Sequence, residues 1–165
     1  MSIEDNHRWP KPNHNYVPEY QMSGIPFVGT YKFSANNVAG DYKKQLVSFE
    51  QVTRWIQILN HNDNANTHIF LFFNENEADD FLTKANANPG STTAVFVGSV
   101  GGGGHHIRID KSQYTVRYEL KCKQLWLVGH ENDIFSVIAG LTNISSNTFP
   151  DQTALNGFTG VESQV

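Results

Sequence analysis

The sequence has one cysteine, Cys122, and few charged residues. A single cysteine cannot form an intrachain disulfide, so nothing here implies an oxidising compartment. We expect Cys122 to behave as a small buried apolar residue. Charged residues make up 17% of the chain and the formal net charge is -4. A nucleic-acid-binding protein normally carries a basic stripe, so nucleic acid is not an expected partner.

Long apolar runs are also missing from the sequence. No stretch approaches the ~20 apolar residues that are needed to span a bilayer, so a membrane is not an expected partner. Residues 1–15 are polar and lack the apolar centre of a signal peptide. We therefore expect the protein to be made in a cytoplasm.

The sequence contains no recognisable catalytic constellation. It has no G-x-S-x-G or comparable context for a nucleophile. His105 and His106 are adjacent, so on a strand they point to opposite faces and do not easily share a metal. A further ligand would have to come from His130 or Asp110. The acidic residues at 75–80 lack the spacing of a calcium loop. We therefore expect no enzyme activity, no cofactor and no metal.

Two apolar stretches in the middle of the chain predict strands. Residues 51–59 alternate imperfectly, which predicts one buried face, whereas residues 67–73 are nearly all apolar, which predicts a strand that is covered on both sides. Residues 60–66 are rich in Asn and Asp, which suit a turn. Residues 77–85 could form a short helix with Asn76 as its N-cap, and a long loop is the alternative.

The second half of the chain has the clearest β pattern. Apolar and polar residues alternate over residues 106–110 and 114–121, and strands are also predicted at 92–98, 124–128 and 134–140. Gly101 to Gly104 predict a flexible hairpin connection. Short strands with short connections indicate an all-β fold, an antiparallel β-sandwich or jelly-roll-like domain. A first strand could also occupy residues 41–49.

The two ends of the chain differ from this predicted domain. Residues 1–42 contain prolines that exclude a helix, yet they carry many large apolar groups that a solvated tail would not need. We predict an extended N-terminal arm at 1–42, a β-sandwich at 43–144 and a C-terminal tail at 145–165. The predicted partner-binding residues of the arm are Trp9, Tyr16, Pro18, Tyr20, Ile25, Pro26 and Phe27. An arm of this kind favours a homo-oligomer.

Several segments resemble small virion structural proteins of tailed bacteriophages, particularly those of marine and cyanobacterial hosts. The most specific are YVPEYQMSGIPFV at 16–28 and VIAGLTNI at 137–144. FEQVTRWIQILN, IFLFFNEN, YELKCKQLWLVG and the late GFTGV are similar to segments that follow in the same order. Residues 88–104 depart from the family pattern and look like an inserted Gly-rich loop.

The resemblance implies a non-enzymatic component of the virion, made in the host cytoplasm. The role that it favours is a capsid decoration (cement) protein or a head–neck accessory protein, bound to other virion proteins through the arm. The alternative hypothesis is a carbohydrate-binding β-sandwich used for host adhesion. That alternative would place Trp55, Trp126 or the loop at 101–106 on an exposed concave surface, although tryptophans at alternating strand positions also suit a core.

Overall fold

The computed structural model describes residues 24–34, 42–63, 68–87, 106–111, 114, 115 and 117–148. This part of the chain forms strands, one α-helix (α1, Glu75–Ala87) and a 3₁₀ turn (Ser146–Thr148). The strands are β1 (Ile25–Lys32), β2 (Tyr42–Ser48), β3 (Gln51–Asn60), β4 (Ile69–Phe72), β5 (Ile107–Ile109), β6 (Gln124–His130) and β7 (Ile134–Ser145). No helix in these ranges is long and apolar enough to cross a membrane.

The strands form two antiparallel sheets, so the predicted all-β sandwich is confirmed. One sheet has the order β1-β7-β3 and the other has the order β2-β6-β4-β5. The short turn between β6 and β7 connects the two sheets, because these consecutive strands lie in different sheets. The predicted strands at 51–59 and 67–73 correspond to β3 and β4, which follow each other in sequence but lie in different sheets.

The central strands β4 and β6 of the four-stranded sheet are buried on both faces, as the apolar run in β4 predicted for that strand. Ile69 and Leu71 point into the main core between the sheets, while Phe70 and Phe72 pack in a second core. Helix α1 contributes Phe81 to that second core. β6 alternates in the same way, with leucines facing the main core and Trp126 facing the helix. The molecule therefore has three layers: sheet, sheet and helix.

Polar contacts attach α1 to the edge strand β2. The side-chain oxygen of Asn86 accepts a hydrogen bond from the Tyr42 backbone N–H at 2.8 Å. Lys44 pairs with Glu75 at 3.1 Å and also with Asp79. Of the two alternatives for residues 77–85, a short helix or a long loop, the structure has the helix. Its cap differs from the expected Asn76, because the Asn74 side-chain oxygen accepts the hydrogen bond from the Asn76 backbone N–H at 2.9 Å.

The structure places the end of the predicted arm inside the sandwich. Residues 25–32 form β1, which pairs along its whole length with β7, and Phe33 is buried in the main core with 1% of its surface exposed. The sandwich therefore begins before the predicted boundary at residue 43. The alternation in this segment, with Phe27, Tyr31 and Phe33 on one side, explains the difference, because it supplies one buried face.

The strand predicted at residues 114–121 is reduced to isolated bridges. Tyr118 bridges Ile56, and Tyr114 bridges Leu59, beside the outer edge of β3. The side chain of Thr115 replaces part of the ladder, since its hydroxyl accepts a hydrogen bond from the Ile58 backbone N–H at 2.9 Å. The alternating pattern predicted the position beside a sheet but not the loss of regular pairing.

Some predicted features lie outside the described residues. They include the strand at 92–98, Gly101 to Gly104, and most of the tail, since the described chain ends at residue 148. Part of the polar loop at 60–66 is described: Asn62 donates from its side chain to the Asn60 side-chain oxygen at 2.7 Å. That local bonding is what the Asn-rich sequence predicted.

Candidate interaction surface

Strand β1 has a free side in the described part of the chain. It is an edge strand that pairs only with β7. The Phe33 N–H donates to the Asp133 carbonyl at 3.0 Å, and Phe33 continues the β1–β7 register. Because hydrogen-bonded pairs alternate in antiparallel sheets, the odd residues of β1 bond to β7. The N–H and C=O groups of Val28, Thr30 and Lys32 therefore point away from the sheet.

The position of the proline in β1 agrees with this alternation of hydrogen-bonded and outward-pointing residues. Pro26 has no N–H, and as an even residue its missing donor would have pointed away from β7. An edge strand tolerates proline at such a position because no ladder hydrogen bond is lost. Pro26 therefore fits β1 without weakening its attachment to the sandwich.

The outer face of the three-stranded sheet carries an apolar surface that no described element covers. Rows across the strands are Pro26–Gly140–Trp55, Val28–Ile138–Gln57 and Thr30–Ser136–Leu59. Val28 is 70% exposed, and Trp55, Leu59 and Ile138 are half-buried. Near the end of the sheet Ile134 is also exposed. We call this set of side chains the outer face.

Polar groups hold the middle of the outer face in place. The Thr30 and Ser136 hydroxyls are hydrogen-bonded at 2.8 Å, and a ring nitrogen of His61 lies 2.8 Å from the same Ser136 hydroxyl. These bonds connect β1, β7 and the residue that directly follows β3. The surface is therefore a fixed pattern of apolar and hydroxyl groups.

Trp55 lies beside a small charged cluster. The Arg117 guanidinium carbon is 5.2 Å from the centre of the Trp55 ring, a cation–π contact. Arg117 and Arg54 both bond to the Glu119 carboxylate, Arg54 at 3.2 Å. The hydrogen bond from Arg117 is the main reason that the pKa of Glu119 is lowered. Trp55 therefore has one flank occupied by a guanidinium.

The structure describes some of the predicted arm residues, and these differ in exposure. Trp9, Tyr16, Pro18 and Tyr20 lie outside the described residues. Ile25 and Pro26 are exposed at the start of β1, while Phe27 points inward and packs edge-on against Phe49 with ring centres 5.0 Å apart. Of the described arm residues, Ile25 and Pro26 are thus accessible to a partner, and Phe27 serves the core.

The other aromatic candidate is unavailable to a ligand. Trp126 is 1% exposed and packs between β6 and α1, so it is a core residue and cannot stack on a sugar. The candidate loop at 101–106 is described only at His106, whose ring lies 5.3 to 5.5 Å from the rings of Phe70, Phe72 and Phe81. Trp55 is the remaining described tryptophan on a surface.

Cys122 is buried, as predicted. It is 1% exposed, and its backbone N–H donates to the Thr53 hydroxyl at 3.0 Å. Burial raises the pKa of the Cys122 thiol to about 11, although the Thr53 side chain acts in the opposite direction. The thiol is therefore protonated at neutral pH and is a poor nucleophile.

Titratable groups gather at one end of the four-stranded sheet. Tyr42 and His130 are register partners with ring centres 4.0 Å apart. His68 and Arg108 both contact Asp110, at 2.9 and 2.6 Å. Burial, followed by the nearby Arg108 charge, lowers the pKa of His68. Among the described residues, no group of three or more His, Cys, Asp or Glu side chains could hold a metal ion.

Two neighbouring groups at this end have perturbed pKa values because they are buried. Burial, followed by the Asp133 charge, raises the pKa of Tyr42 to about 12. Burial also raises the pKa of Asp133 to about 6, although the His130 backbone N–H donates to its carboxylate at 3.3 Å. The Asp133 carbonyl also binds Phe33, so the carboxylate sits at the joint between β1 and the β6–β7 turn.

Sequence reasoning did not single out Val28, Leu59 or Ile138 as surface residues. Their signal was present in part, because Val28 and Thr30 alternate with Phe27 and Tyr31 in the segment that was assigned to the arm. Which of the two faces would remain uncovered depends on the sheet order, and that order could not be read from the local pattern.

The fold is an all-β sandwich in which β1 is an edge strand among the described strands. No protein-family model matches the sequence, and no curated protein matches it. Among solved structures, the crystal structure of Yersinia pseudotuberculosis-derived mitogen is similar over 72% of this chain and 89% of that chain, with 15% sequence identity and a TM-score of 0.34. A likeness at that level carries no argument about function.

Proposed function

We propose that the protein is a non-enzymatic structural subunit that joins neighbouring proteins in a larger assembly. The observation that supports this most directly is β1: it is firmly paired to β7, its other edge is free in the described chain, and the apolar arm precedes it in sequence. A partner that binds the arm is thereby connected to the core of the sandwich. The arm and β1 together would form the attachment device.

The aromatic residues of the arm could supply much of the area that a stable interface needs. Stable interfaces typically bury roughly 1,200 to 2,000 Å² in total. Aromatic residues contribute most to such contacts, and each buries about 150–250 Å². Trp9, Tyr16 and Tyr20 of the arm, together with exposed Val28, therefore offer a suitable set of apolar anchors.

The assembly that we propose is the virion of a tailed bacteriophage, in which this chain would be a capsid decoration or head–neck accessory protein. This assignment depends on the sequence resemblance at 16–28 and 137–144. The second of these segments, residues 137–144, lies within β7, the central strand of the three-stranded sheet. A resemblance in a central strand supports a shared scaffold, and the resemblance at 16–28 supports a shared mode of attachment.

Limited proteolysis tests the attachment role. In dilute solution we expect cleavage within residues 1–23, while β1 survives because it is paired to β7 and Phe33 is buried. At high concentration, or after addition of a capsid or neck fraction, the arm should become protected. Mass spectrometry of the new N-terminus identifies the cleavage site. Equal protection of the arm at all dilutions would argue against a role in assembly.

Carbohydrate binding is the second candidate, and Trp55 is the observation that favours it. Its half-exposed ring lies in the outer face beside Arg117, and aromatic rings of this kind can stack on sugars. Titration with host polysaccharides should quench Trp fluorescence in the wild type and not in Trp55→Ala. A flat wild-type response across the polysaccharides would eliminate this candidate.

A further inference from the structure

The edge of β1 that no described strand pairs with offers a short, self-complementary set of backbone groups. Val28, Thr30 and Lys32 each direct an N–H and a C=O away from β7, and Pro26 ends the set because it has no N–H. A set of this kind can pair with a copy of itself in antiparallel orientation. An antiparallel pair of identical strands has two-fold symmetry, which is the commonest symmetry of homo-oligomers.

We propose that β1 pairs with β1 of a second copy of this chain, with Thr30 on the two-fold axis. Thr30 would then lie opposite Thr30 of the partner subunit, and Val28 opposite Lys32 of the partner subunit. The two three-stranded sheets would join into one continuous sheet. This inference rests on the proposed function and specifies which surface of the subunit forms the contact.

The register of the proposed β1–β1 pair follows from the backbone N–H donors of β1 and from the charge of Lys32. Pairing centred on Thr30 uses every outward N–H between Val28 and Lys32 in both copies. A register shifted by one pair towards the N-terminus, centred on Val28, would place Thr30 opposite Pro26 of the partner subunit and lose a hydrogen bond. In the proposed register the two Lys32 side chains stay apart, because each faces a valine. Like charges directly opposite each other would be destabilising.

The proposed pairing also determines the direction in which the chain before β1 would run relative to the partner subunit. Because the strands run antiparallel, Pro26 would lie opposite Ser34 of the partner subunit. The chain that precedes Gly24 would therefore enter over the partner subunit. Strand pairing over five residues alone buries too little area for a stable dimer, so the apolar arm would supply the remaining contact. The exposed Val28 side chains of both copies would join one apolar surface.

Cysteine cross-linking of the full-length chain tests the register. Residues in a hydrogen-bonded antiparallel pair have Cα atoms about 5.5 Å apart, which is within disulfide reach. Thr30→Cys should therefore give a disulfide-linked dimer in oxidised glutathione. Val28→Cys is the matched control, because the two copies of residue 28 would be about 13 Å apart along the strands. Cys122 is buried and should not interfere.

Charge substitutions at Val28 give an independent readout that does not require a cross-link. Val28→Glu would place two carboxylates opposite the two Lys32 side chains, and Val28→Lys would place two like charges there. We expect the dimer dissociation constant to fall roughly two- to thirtyfold in the first variant and to rise by a similar factor in the second. Position 28 is exposed, so both variants should fold.

The outcomes separate this inference from the function on which it rests. A dimer from Thr30→Cys alone, with opposite effects of the two charges, supports β1 pairing. Cross-linking of neither variant, of both equally or of Val28→Cys alone would overturn it, as would equal effects of Glu and Lys. If the wild type still forms an arm-dependent oligomer in that case, the assembly role stands and the contact lies elsewhere.

Discussion

Replacing Phe33 by Ala tests whether the end of the predicted arm belongs to the sandwich. Phe33 is 1% exposed, and its ring centre lies 5.0 Å from that of Phe135. Its backbone also bonds to the β6–β7 turn on both sides, through Asp133 and Asn132. Burial of a complete phenyl ring in this position should make Phe33→Ala cost about 3–5 kcal/mol of the free energy of unfolding.

Urea denaturation followed by Trp fluorescence measures this loss. With a slope of about 2 kcal/mol per molar urea, the midpoint should fall by roughly 2 M. Val28→Ala is the matched control, because Val28 lies on the same strand and is 70% exposed, so its loss should stay within about 0.5 kcal/mol. If Phe33→Ala cost no more than Val28→Ala, residues 25–33 would not be part of the folded domain.

Three further predictions concern the same core. A Cβ atom on Gly129 would lie 2.5 Å from the Phe33 ring, so Gly129→Ala should lower stability by about 1–3 kcal/mol, and an unchanged melting temperature would contradict this packing. Burial raises the pKa of Asp133 to about 6 from an ordinary 3.8, so its charged form is disfavoured in the folded state. The wild type should therefore lose up to about 3 kcal/mol of stability relative to Asp133→Asn as the pH rises from 4 to 7, and a pH-independent difference in urea denaturation would refute this. Native Cys122 should react with a thiol reagent only as fast as the protein unfolds, whereas rapid reaction of the folded protein would show that the thiol is accessible.

Local patterns predicted the strands that are buried on one or both faces. The apolar run in β4 indicated a strand covered on two sides, and the structure supplies the cover through α1 on one side and the opposite sheet on the other. The Asn and Asp residues after β3 likewise indicated a turn. These features depend on residues close together in sequence, so the sequence is sufficient to predict them.

Features that depend on distant residues were not predictable in this way. β1 is recognised as a strand only when its long-range pairing with β7 is known, since Pro26 and the position of the segment among the other prolines of residues 1–42 favoured an arm. The irregular segment that holds Tyr114 and Tyr118 depends on the Thr115 side chain bonding to β3. The outer face was missed for the same reason, because exposure of Val28 follows from the order of the sheet.

Light scattering of the full-length protein over a range of concentrations tests the assembly role most directly. The comparison is a full-length variant in which Trp9, Tyr16 and Tyr20 are replaced by Ser, since it keeps the chain length and the sandwich intact. We predict a dimer or larger oligomer for the wild type and a monomer for the variant, with equal thermal stability at low concentration. Monomers for both proteins at every concentration would contradict self-assembly through the arm.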